Sequence, residues 1–118
     1  MASATSKTQK DMKKVYMIMV DEWTDGVVST SIEGIHATLD GAKEHFREIT
    51  WNETANFILN ETGEHDTSDE AMERYGIQKR TGEHADGTLS FCIEYKPDAP
   101  GYGSRTLYVH IYEKDLLD

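Results

Sequence analysis

Apolar positions fall in a few dense blocks, and the spacing inside each block predicts the elements. Lys14-Val15-Tyr16-Met17-Ile18-Met19-Val20 is apolar on both alternating faces, with Val15, Met17 and Met19 to one side and Tyr16, Ile18 and Val20 to the other. That pattern predicts an interior strand over 14–22 that needs cover on both sides. Asp25-Gly26 predicts a hairpin turn, because both residues tolerate positive φ. A second strand follows over 27–37, interrupted at Gly34, where a bulge on an edge strand is expected. Thr38 is placed to cap a helix, with Asp40 in its first turn. Leu39, Ala42, Phe46 and Ile49 form the apolar stripe of that helix. Past Ile49 the register moves to Trp51, Ala55, Ile58 and Leu59, which predicts a bend or a second short helix ending near Asn60. Residues 61–70 contain no apolar side chain and predict an exposed acidic loop. A helical turn over 68–75, capped by Ser68 or Asp69, should then turn Met72 and Tyr75 inward. The last third reads as three strands: 77–83, then 88–96 after the turn Ala85-Asp86-Gly87, then 104–113 after a Pro- and Gly-rich connection.

The expected fold is therefore a single α+β domain over 14–118, preceded by a disordered arm at 1–13. Its mostly antiparallel sheet has about five strands in the order ββα(α)βββ, with the helix packed on one face. Strand 14–22 is expected at the centre with the last strand beside it. The stripe Leu39, Ala42, Phe46 and Ile49 is assigned to one of its faces. Tyr16, Ile18 and Val20 are left to be covered by tyrosines, an acidic segment or a second subunit. Length agrees: 118 residues suit one core that buries roughly 65% of the unfolded chain's surface.

Charge sharpens this reading. Of the net −10, residues 1–14 carry +3, from Lys7, Lys10, Lys13 and Lys14 against Asp11, so the remainder carries −13. A body so acidic repels phosphate backbones, which argues against direct nucleic-acid binding and for solubility or a basic protein partner. No apolar run reaches the ~18 residues of a membrane span, and the single cysteine, Cys92, allows no internal disulfide. A soluble, cytoplasmic protein with Cys92 as a buried inert thiol is the expectation.

Candidate chemistry is sparse. The acids Glu61, Glu64, Asp66, Asp69, Glu70 and Glu73 lack the spacing of a calcium loop, since Gly63 precedes most of them. His84, Asp86 and His110 have the donor types for zinc or iron if their strands are neighbours. Acid–base residues such as Glu44, His45 and Glu48 come without a nucleophile elbow, a His-x-x-x-His pair or a phosphate loop. The chain thus reads as a binding protein rather than an enzyme, with no cofactor called for. A small metal-dependent enzyme or metal-binding protein using His84, Asp86 and His110 is the alternative. Partner-binding candidates are the carboxylates Glu44, Glu48, Glu64, Asp66, Asp69 and Glu70, with Tyr102 and Arg105 on and beside the stiff 97–103 connection. Tyr108, His110 and Tyr112 share one strand face, offering a second cover for strand 14–22 or a homodimer surface.

Lys14-Val15-Tyr16, followed by Gly34-Ile35-His36-Ala37-Thr38-Leu39-Asp40-Gly41-Ala42-Lys43-Glu44-His45-Phe46, resembles a pattern in small proteins of bacteriophages and mobile elements. There, a Lys-Val-Tyr strand opens a hairpin that leads into a Thr-capped helix. The match spans under half the chain and consists of structural residues. What it implies is a phage or mobile-element origin, a setting whose small acidic proteins include inhibitors of host defence nucleases. The expected function is then a non-enzymatic acidic protein that occupies a basic surface on a nucleic-acid-binding or defence protein.

Overall fold

The protein is described by a computed structural model over residues 12–95 and 104–117. Its strands are β1 (Met12–Thr24), β2 (Val27–His36), β3 (Ile77–Glu83), β4 (Leu89–Tyr95) and β5 (Arg105–Leu117); its helices are α1 (Leu39–Thr62) and α2 (Asp69–Tyr75). The α+β order ββααβββ is the expected one. All pairings are antiparallel, and the strands lie β2-β1-β5-β4-β3 across the sheet. The last strand does lie beside the first. The middle place, however, belongs to β5, with β1 between it and the edge strand β2.

Local chemistry explains the connections. Asp25 (φ 53°) and Gly26 (φ 84°) both take left-handed backbone and close the β1–β2 hairpin. Pairing slips between Ile18–Gly34 and Met19–Ile32, so the bulge lies at Glu33, next to Gly34 on an edge strand. Gly34 is needed for space: a Cβ there would lie 2.7 Å from Nδ1 of His45 on α1. Thr38 accepts from the Gly41 amide and Ser68 from the Ala71 amide, so both predicted caps form.

Three expectations need correction. First, α1 is one continuous helix to Thr62, without a bend at Ile49. Its buried stripe continues through Thr54, Phe57 and Ile58, while Trp51, Ala55 and Leu59 are exposed. Thr54 can occupy a stripe position because its hydroxyl donates to the Thr50 carbonyl at 2.7 Å, leaving no polar hydrogen unpaired inside. Second, β1 and β5 are longer than predicted and pair from Met12–Leu117 to Thr24–Arg105. Their added rungs carry charges such as Lys13, Asp115 and Lys114, and Lys14, opposite Asp115, bridges to Glu113 at 3.1 Å. The strand therefore starts at Met12, inside the segment expected to be a disordered arm; residues 1–11 lie outside the described residues.

Third, the helix covers the opposite side of β1 from the one assigned to it. Ile18 and Val20 are buried with Leu107, Val109, Ile111, Phe91 and Ile93 beneath Ala42, Phe46, Ile49, Phe57 and Ile58, with Tyr16 packed at the margin. Met72 of α2 and Ile77 extend this core over β3. Val15, Met17 and Met19 point the other way. Either face of β1 has the apolar content to meet a helix; the choice is made by its neighbours, because β5 and β4 put their aliphatic rows alongside Ile18 and Val20. No helix of the described residues is long and apolar enough to cross a membrane.

Candidate functional site

The sheet face away from the helices is where the structure leaves apolar surface unexplained. Register places Val15, Met17, Met19 and Trp23 of β1 beside Ile35, Ile32 and Val28 of β2, and beside Tyr112, His110 and Tyr108 of β5. No element of the described residues packs over them. Ile35 is 63% exposed, Ile32 54% and Tyr112 49%, whereas Ile18 and Val109 on the other face are 0%. Tyr108, His110 and Tyr112 thus line the Met17–Met19 side rather than shielding Tyr16. Tyr108 and His110 stack at 4.7 Å between centroids.

This face carries few charges, among them Lys114, which pairs with Val15 in the β1–β5 register. Asp21 accepts from the Thr30 hydroxyl at 2.7 Å and lies 3.5 Å from His110 Nε2, and Arg80 stands 3.9 Å from Glu94. It also has relief. The β1–β2–β5 end is a ridge of Met, Ile and Tyr side chains, while Gly82, Ser90, Cys92 and Thr106 floor a hollow of about 550 Å³ at the β3–β4 end. Cys92 is only half-buried there, with Arg80 Nη2 3.9 Å from its sulfur, so the expected buried thiol is instead a partly open one.

The predicted acidic surface divides in two. Glu44, Glu48, Glu64, Asp66, Asp69 and Glu70 are all exposed. Glu44 and Glu48 lie near the start of α1; the other four lie past its end, roughly 24 Å farther along the helix axis. Asp66 is fixed locally: hydrogen bonding from Ser68, including its amide at 3.0 Å, holds the carboxyl below its ordinary range. Arg105, expected at a contact tip, is spent within the fold. Its guanidinium pairs with Glu22, lies 3.9 Å from Glu61 and sits 4.8 Å above the Phe57 ring. Tyr102 lies outside the described residues. Glu53, half-buried on α1, has its pKa raised by burial and then by Glu33 and Glu22, which Arg105 partly offsets.

The His84, Asp86 and His110 grouping does not form. His84 and Asp86 belong to the β3–β4 turn, where Asp86 accepts from the Thr88 amide at 2.9 Å and from its hydroxyl at 2.6 Å. Those bonds, from the Thr88 hydroxyl first, lower the Asp86 pKa. His110 lies on the open face beside Ser90 and Asp21. Among the described residues no three His, Cys, Asp or Glu side chains are placed to hold a metal ion.

Two features escape sequence reasoning. His36 Nε2 and His45 Nδ1 meet at 2.8 Å, one ring donating and the other accepting, where the end of β2 crosses α1. The only sequence trace of that contact is the glycine at 34 that makes room for it. The second is a cleft between α1 and the edge strand β3, lined by Arg47, Trp51, Lys79 and Thr81 and floored by Phe91. Its members are scattered from Arg47 to Phe91, so no local motif marks it.

No protein-family model, curated protein or solved structure matches this chain.

Proposed function

We propose that this chain is a non-enzymatic binding protein that pairs with a second copy through its open sheet face and presents acidic helical faces outward to a basic macromolecular surface. The observation that carries the reading is the unequal treatment of one sheet: an aliphatic core on the helix side, and exposed Ile32, Ile35, Trp23, Val28 and Tyr112 on the other. Three considerations favour a second copy as the occupant. The footprint of the face, taken from strand rise and spacing, is on the order of 800 Å², what one partner contributes to a standard interface. Its central charges, Asp21 and the Arg80–Glu94 pair, are met within the chain, so the middle of two such faces can meet without stranding an ion, with Lys114 opposite Val15 toward one end of the ladder. A ridge at one end and a hollow at the other are self-complementary under a two-fold rotation, ridge into hollow.

Face-to-face pairing of sheets would give a four-layer α/β/β/α sandwich with both long helices outermost. Glu44 and Glu48, and the second cluster around Glu64, Asp66, Asp69 and Glu70, would then be displayed twice. Such repeated patches at separated positions suit a basic groove of the kind a nucleic-acid-binding protein offers, and the likeness to small phage proteins points to a defence nuclease as the first to try. The test of pairing uses Cys92, the single cysteine, as its reporter. Its reaction with a thiol reagent should slow as protein concentration rises and become concentration-independent in Met19→Glu. Equal rates at all concentrations in the unaltered chain would rule the pairing out. For the acidic faces, reversing Glu44, Glu48, Asp69 and Glu70 to Lys should abolish binding to a basic partner, and undiminished binding would refute that role.

A further inference from the structure

From the cleft between α1 and β3 we infer a binding site, separate from either protein-contact face, for a small anion that carries a planar ring. The sheet is five strands wide, and α1 covers its middle, so a gap of about 400 Å³ opens between the helix and the edge strand, closed at one end by His65 and Thr67 of the α1–α2 connection. That volume lies within the ordinary range for small-molecule sites, roughly 300–1,000 Å³.

Its lining runs against the composition of the chain. The protein holds 22 acidic residues against 12 basic ones, yet none of the residues lining this cleft is acidic, while Arg47, Lys79 and His65 all border it. Neither Arg47 nor Lys79 has a carboxylate partner among the described residues; the same holds for Lys13, Lys43, Arg74 and Lys114, but Arg47 and Lys79 line one cleft together with no acid between them. Two cations that share one cleft without an acid in its lining, in a chain of net −10, leave an anionic ligand as the group that would neutralise them.

Hydroxyl bookkeeping agrees. Thr50 and Thr54 donate to the helix carbonyls of Arg47 and Thr50, so they have only lone pairs to offer. Among the described residues Thr67 and Thr81 make no such bond, which leaves their hydroxyls able to donate. The donors thus come from the loop, from β3 and from the cations, an arrangement suited to several oxygens of one phosphate or carboxylate.

The ring is called for by Trp51 and Phe91. Trp51 is 75% exposed, an unusual cost for the largest apolar side chain on a helix whose apolar stripe faces elsewhere, and it borders the same cleft whose floor is the buried Phe91. A flat ligand lying against the indole, with its anionic group toward Arg47 and Lys79, uses every one of these features.

The test is fluorescence of Trp51 in the full-length Trp23→Phe chain, titrated with adenosine monophosphate and adenosine, and with benzoate and benzyl alcohol. Saturable quenching by at least one of the two anions, with a dissociation constant of about 1 mM or tighter, is expected. Its neutral analogue should bind at least about tenfold more weakly, as should Arg47→Ala and Lys79→Ala, each removing one charged contact. The anion that saturates identifies phosphate or carboxylate as the recognised group. Circular dichroism checks the variants, and Arg47→Gln and Lys79→Gln replace any that unfold. Absence of saturation by both anions, equal quenching by neutral and charged members of each pair, or quenching that survives loss of both cations would overturn the inference.

Discussion

Ile18 and Met17 are neighbours on one strand, both large and apolar, yet one is sealed beneath a helix and the other looks out from a bare sheet. The difference between the two faces of β1 is set by what lies beside each residue. Ile18 pairs with Ile111 and lies in a row with Val20 and Val109, under Phe46 and Phe57. Met17 pairs with Ile35 and Tyr112, both exposed, and no described element packs above that row. Burial of one face therefore makes the fold, while no described residue packs over the other. An apolar patch left uncovered at this size is a contact surface or an aggregation hazard.

Substitution on the covered face should have the largest effect. Ile18→Ala should lower unfolding free energy by about 2–5 kcal/mol in denaturant titration, since a fully enclosed side chain leaves a cavity. Ile32→Thr and Ile35→Thr on the open face should each change the stability of the monomer by no more than about 0.5 kcal/mol. Comparable losses on the two faces would mean that the open face is not free in the isolated chain.

Next comes the crossing of β2 and α1. Gly34→Ala drives a methyl group into the His45 ring and should cost about 1–3 kcal/mol. His45→Ala in the same chain should recover part of that loss, a coupling that a double-mutant cycle measures. Additive losses would mean that the two side chains do not share the space. Thr38→Ala removes the hydroxyl that accepts from the Gly41 amide and should cost about 1 kcal/mol of thermal or chemical stability.

Much of the covered face was legible in the chain. Caps at Thr38 and Ser68, the Asp25-Gly26 turn and the alternation from Leu89 to Tyr95 each rest on a local rule, and each is in place. What stayed hidden depends on partners distant in sequence. The choice of face on β1 is made by β5, ninety residues away, and the outer rungs of the β1–β5 ladder are held by charges such as Lys14 and Glu113 rather than by apolar periodicity. The continuation of α1 was masked because Thr54, a polar letter, fills a buried position with its hydroxyl returned to the backbone. The cleft beside Trp51 and the His36–His45 contact were illegible for the same reason: neither has its members within one local pattern. The carboxylates from Glu44 to Glu70 were legible as exposed, but not as two separate clusters.

The smallest expected effect is a pH dependence on the covered side. Burial raises the Glu53 pKa above its ordinary 4.5, so the folded state binds this proton more readily than the unfolded state does. Between the unfolded and the raised folded value, Glu53 therefore lowers stability as pH rises. Glu53→Gln should be the more stable form at pH 7, and its advantage should vanish below about pH 4.5, where both states of the parent are protonated. An advantage that grows on acidification would have the wrong sign.

Sedimentation equilibrium of the full-length chain over a wide concentration range asks directly whether the open face is covered by a second copy. A mass rising from 13.4 kDa toward twice that value is expected, with Ile32→Lys or Met19→Glu held at 13.4 kDa throughout. An unaltered chain that stays at 13.4 kDa up to the highest concentrations would contradict the pairing and leave the Met17–Met19 face without the occupant assigned to it.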